Sequence, residues 1–124
     1  MSRFNEKDYY FRVKYKKLET TNCKLSNLIR CDLKFECDAD KRWVFALYPD
    51  FETLSEDNIV GDEWEAEWEA LDEGTAMICK PIYDDRNGYF NMIRERVKVG
   101  AKAYFVGGSH KIAELEIIEI INEI

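Results

Sequence analysis

VKVGAKAYFVGGSHKIAELEIIEII, residues 97–121, consists of two apolar runs around a tight break at Gly107-Gly108-Ser109. A Gly-Gly pair accepts the positive φ that a short hairpin loop demands, and β-branched and aromatic residues crowd both flanks. The stretch predicts a β-hairpin, and the hairpin in turn predicts an all-β domain that it closes.

The rest of the composition agrees. At 124 residues the chain is one domain, long enough to bury roughly two-thirds of its unfolded surface without a metal or disulfide staple. Hydrophobic residues at 46% and charged residues at 35% suit a folded, soluble chain rather than a disordered one. Aromatics reach 14%, and aromatics favour strands. No apolar run approaches the roughly 20 residues of a membrane span. The opening MSRFNEKDYYF lacks the apolar core of a signal peptide, so a cytoplasmic location is expected. Cys23, Cys31, Cys37 and Cys79 then read as free thiols packed like small apolar side chains. With no CxxC and a single histidine, neither a zinc site nor any other cofactor is expected.

Net charge is −7, unevenly spread. Residues 1–35 hold nine Lys/Arg against four Asp/Glu, residues 36–75 hold two against fourteen, and residues 76–124 hold seven of each. An acidic middle third repels phosphate backbones and attracts basic partners, which argues against nucleic acid.

Working outward from the hairpin, residues 9–18 alternate. Phe11, Val13 and Tyr15 point one way and Arg12, Lys14 and Lys16 the other, a half-buried strand with a basic outer face. Residues 28–37 alternate again, with Ile29, Cys31, Leu33, Phe35 and Cys37 on one side. Residues 43–48 read as a short apolar strand, and residues 49–58 as an acidic loop begun by Pro49-Asp50. EWEAEWEAL, residues 63–71, supports two readings. Trp64, Ala66, Trp68 and Ala70 alternate with glutamates as in a strand, while Trp64, Trp68 and Leu71 also share a helical face. The strand-rich surroundings favour strand. Residues 77–83 read as an edge strand because of Pro81. Asp84-Asp85-Arg86-Asn87-Gly88 is a turn, and residues 89–97 resume as strand or a short helical turn.

Three further pieces have a recognisable order: Arg30-Cys31-Asp32-Leu33 with Phe35, then Val60-Gly61-Asp62, then Gly100-Ala101-Lys102-Ala103-Tyr104-Phe105-Val106-Gly107-Gly108 followed by Lys111-Ile112-Ala113-Glu114. This order resembles the C-terminal β-barrel domain of elongation factor Tu and related translation factors. The resemblance implies a closed Greek-key β-barrel of six to seven strands whose first strand starts near Tyr10. Against that family, Cys31 replaces a proline, Leu115 stands where a small glycine is usual, and residues 72–97 form an insertion. No GxxxxGK[ST] motif is present, so GTP hydrolysis does not carry over.

No residue set demands catalysis. His110 and Ser109 read as turn residues, and Asp72, Glu73, Asp84, Asp85 and Arg86 as solvated turns without calcium-loop spacing. Binding surfaces are more promising. Glu63, Glu65, Glu67 and Glu69 would stand about 7 Å apart along one strand face, a solvated stripe beside Arg12, Lys14 and Lys16 or a docking surface for a basic protein. The insertion offers Tyr83, Asp84, Asp85, Arg86, Tyr89 and Phe90, aromatic and Arg anchors of the kind that interfaces use or else a cap on the barrel end. The expectation is a non-catalytic protein-binding module. Its most concrete form is an immunity or antitoxin protein that neutralises a basic toxin through an acidic face. The alternative is an orphan translation-factor-like module contacting RNA, the ribosome or a translation factor.

Overall fold

The computed structural model describes residues 6–18, 24–26, 31–60, 67–81, 85, 88–107 and 110–124. Among these the strands are β1 (Tyr9–Lys17), β2 (Cys31–Phe35), β3 (Phe45–Leu47), β4 (Pro49–Phe51), β5 (Leu54–Val60), β6 (Glu67–Ala70), β7 (Glu73–Cys79), β8 (Lys102–Gly107) and β9 (His110–Ile120), with one α-helix, α1 (Tyr89–Arg96). Seven strands form one antiparallel sheet in the order β3-β2-β8-β9-β1-β7-β4, and β5 and β6 make a separate ribbon. The two outermost strands, β3 and β4, are separated along the chain by Tyr48 alone. A chain that leaves its pairing with β2 at Leu47 and pairs with β7 from Pro49 draws the two ends of the sheet toward each other and curls it. The result is a mostly β, half-barrel sheet.

The curl encloses one apolar face of the seven-stranded sheet. Phe11, Val13 and Tyr15 of β1, Leu33 and Phe35 of β2, Ala76 and Ile78 of β7, Ala103 and Phe105 of β8, and Ala113, Leu115 and Ile117 of β9 are all buried. Rings interlock edge to face, Tyr15 with Phe51 at 5.1 Å, Phe51 with Phe105 at 6.1 Å and Phe35 with Phe45 at 5.6 Å. A bulge at Ile118, between the pairs Val13↔Ile117 and Arg12↔Glu119, resets the phase of β9. It keeps Glu119 outside, where Arg12 meets it at 2.8 Å and Glu52 at 3.0 Å.

α1 places Tyr89, Met92 and Ile93 on one face over the core, and Val97 follows, buried, at its extended C-cap. Tyr89 tilts against Phe45 at 5.2 Å. The Arg96 guanidinium donates to both Asp38 oxygens, at 2.6 and 2.9 Å, and this bond raises its pKa. Among the described residues no helix is long and apolar enough to cross a membrane.

Several expectations are corrected here. The acidic loop at residues 49–58 is instead strands β4 and β5. Pro49 is tolerated because it opens its strand, where its missing N–H costs least. β7 ends two residues before Pro81 and lies between β1 and β4, so it is an inner strand rather than an edge. β2 stops at Phe35 and passes into a 3-10 turn at Glu36–Asp38, which turns Cys37 out to solvent instead of into the core. The strand at residues 43–48 shrinks to Phe45–Leu47, leaving Trp43 and Val44 exposed. Between the two readings of residues 89–97, the chain takes helix. Within residues 63–71, Glu67–Ala70 is strand, as expected, and residues 61–66 lie outside the described residues.

Candidate functional site: the acidic ribbon

β5 and β6 leave the barrel as a pair. At the base, Leu54 sits opposite Ala70, with Ala70 buried and Leu54 packed against the core. The Leu71 N–H donates to the Thr53 carbonyl at 3.0 Å, and the Ala70 N–H to the Leu25 carbonyl at 2.7 Å. Beyond the base the apolar face of the ribbon outruns the core. Ile59 lies directly opposite Trp68, and the two are 56% and 44% exposed. Fully burying such side chains is worth roughly 1.5–3 kcal/mol each, and about half of that remains open to a partner here.

Between the pairs Leu54↔Ala70 and Ile59↔Trp68, β6 spends one residue and β5 spends four. The excess, Ser55 to Asn58, bulges outward around the Ser55 hydroxyl, which accepts the Asp57 and Asn58 N–H groups at 3.2 and 3.1 Å. Glu56, Asp57 and Asn58 are exposed on this bulge, and Glu69 is partly exposed on β6. Among the described residues none of Glu56, Asp57 and Glu69 forms an ion pair.

The expected site residues scatter by comparison. Glu67 and Glu69 fall on β6, whereas Glu63 and Glu65 lie outside the described residues, as do Tyr83, Asp84 and Arg86. Asp85 serves α1, its carboxylate accepting the Phe90 N–H at 2.9 Å. Tyr89 caps the barrel end and Phe90 is half-buried beside it. The glutamates that oppose the basic stripe are those of β9, not those of residues 63–69: Lys14 pairs with Glu116, Lys16 with Glu114 and Arg12 with Glu119. Glu56 and Asp57 were missed because they fell inside the expected loop at residues 49–58, and Ile59 because no element was assigned just after that loop. The apolar Leu54, Ile59 and Val60 around Ser-Glu-Asp-Asn were the available signal for a bulged strand.

The outer face of the sheet carries a groove of ≈ 770 Å³ lined among others by Lys14, Lys16, Lys102, Glu36, Glu73 and Glu114. Its cations and anions alternate from strand to strand. Elsewhere His110 is exposed opposite Gly107 at the start of β9. Cys79 is buried, and desolvation, followed by the Asp50 and Asp8 carboxylates, pushes its thiol up to about 12. Such a thiol stays protonated at neutral pH and is a poor nucleophile. Among the described residues no three metal-ligating side chains converge.

Comparison with protein-family models, with curated proteins and with solved structures finds no match.

Proposed function

We propose that this chain is a non-catalytic binding module that grips a basic protein with its acidic ribbon. In its most concrete form it is an immunity or antitoxin protein whose carboxylates occupy the phosphate sites of a basic toxin such as a nuclease. The observation that carries this reading is the exposed Ile59–Trp68 pair on the same ribbon as the unpaired Glu56, Asp57 and Glu69. A half-exposed tryptophan on a short, pinned ribbon suits a central anchor, and unpaired carboxylates steer a cationic surface toward it. The scaffold under it is read as a closed Greek-key barrel of the translation-factor kind. Support for closure is the single residue between the two outermost strands.

The test has two arms. A synthetic peptide alternating lysine and valine binds, weakens with rising salt, and loses affinity in Trp68→Ala; poly-glutamate does not bind. In the native host, a 1:1 complex with the basic protein encoded beside it survives moderate salt and silences that protein's activity. Absence of any basic partner refutes the reading. Steeply salt-dependent retention of bulk RNA would favour the translation-factor-like module instead.

A further inference from the structure

The interior is filled mainly by phenylalanine and aliphatic side chains, yet Tyr15 places a hydroxyl at one end of it while being only 1% exposed. A phenylalanine would pack the same ring against Phe51. The hydroxyl has a separate occupation. It donates to the Leu71 carbonyl at 2.7 Å and lies 3.0 Å from the Thr53 hydroxyl. Thr53 immediately precedes β5 and Leu71 immediately follows β6. Both feet of the ribbon therefore meet at one atom.

The other side of this junction is closed by Gly74 of β7. A Cβ there would fall 2.0 Å from the Thr53 hydroxyl oxygen, so Thr53 lies flush against the β7 backbone. Thr53 is thus wedged between Gly74 and Tyr15, and Leu71 is tied to Thr53 by its own N–H. Burial raises the Tyr15 pKa, so the hydroxyl remains a neutral donor at physiological pH.

We infer that the Tyr15 hydroxyl is the positioning residue of the ribbon, setting the angle at which Ile59, Trp68 and the acidic bulge leave the barrel. This rests on the ribbon being the recognition element. It adds that recognition is preorganised from inside the core, through a residue that touches no partner. Preorganisation lowers the ordering cost of association and is felt mainly in the dissociation rate.

The experiment replaces Tyr15 by Phe, which keeps the ring and deletes one oxygen. Amide exchange is followed at Ala70, Leu71 and the β5 residues, with β8 and β9 as the internal reference. The expected result is exchange roughly five- to tenfold faster in the ribbon, as for loss of one hydrogen bond, and unchanged in the reference strands. The alternating lysine–valine peptide should dissociate faster by a similar factor at a nearly constant association rate. Thr53→Val, which removes the other hydroxyl of the junction, should reproduce the pattern. Unchanged ribbon exchange in both variants, or acceleration spread evenly over the whole sheet, overturns the inference. A wild-type chain that fails to bind the peptide refutes the ribbon as a basic-protein site, while the exchange pattern still decides the role of Tyr15.

Discussion

The outer face of the sheet and the β5–β6 ribbon are both rich in glutamate, and they use it in opposite ways. On the sheet, Glu114 faces Lys16 on β1, while Glu116 lies between Lys14 and Lys102. On the ribbon the register positions opposite β6 are Leu54, Ile59 and Val60, and among the described residues no lysine or arginine stands across from an acid. The difference teaches that a count of carboxylates does not locate a binding surface. A glutamate with a cation across the ladder contributes to the sheet, whereas one without is available to another molecule.

The strongest contrast is between buried and exposed aromatics. Phe105→Ala, in the barrel, should cost about 3–5 kcal/mol of folding stability, read as a lower urea midpoint. Trp68→Ala should shift that midpoint little, yet weaken binding of the lysine–valine peptide by roughly tenfold or more. If Trp68→Ala destabilises the fold as much as Phe105→Ala, the ribbon is a piece of core and the contrast collapses.

Charge reversal gives the next largest effect and should cross over between the two regions. Glu116→Lys sets like charges beside Lys14 and Lys102 and should cost about 1 kcal/mol of stability, with peptide binding intact. Glu69→Lys should leave stability within about 0.5 kcal/mol and reduce binding, most of all at low salt. Equal effects at both positions would erase the distinction between structural and available carboxylates.

The smallest effect sharpens the picture of the interior. Burial, followed by the Asp50 and Asp8 carboxylates, pushes the Cys79 thiol from its ordinary 9.0 up to about 12 in the folded chain. Between those values the folded chain holds a proton that the unfolded chain has lost, so stability falls as pH rises through the window and is fully present below it. Tyr10 and Tyr15, both raised from 10.0, add to the slope at its upper end. Urea midpoints taken stepwise above pH 9.0 should decline, and Cys79→Ala should decline less. Parallel curves would show that the thiol is not responsible.

Legibility followed amphipathicity. β1 and β9 were readable because Phe11-Val13-Tyr15 and Ala113-Leu115-Ile117 each keep one face wholly apolar. β4 and β5 were not, because Pro49 and the acidic Ser55-to-Asn58 bulge carry loop chemistry inside paired backbone. α1 stayed ambiguous because eight residues hold only two turns, too few for period 3.6 to stand clear of period 2. At the site, Trp68 and Glu69 were visible as residues. The partnership of Trp68 with Ile59 was not, since register across a bulge is a property of pairing rather than of either segment.

The handover at Tyr48 has a consequence for robustness. Its carbonyl accepts the Cys79 N–H at 2.9 Å, so the chain is tied to β7 even at the residue that belongs to neither strand. The outer strands β3 and β4 are only three residues each, a short rim onto which a stray polypeptide could zip. Severing the backbone between Leu47 and Pro49 would free both lips at once, and a molecule cut there should precipitate where the intact one stays dispersed.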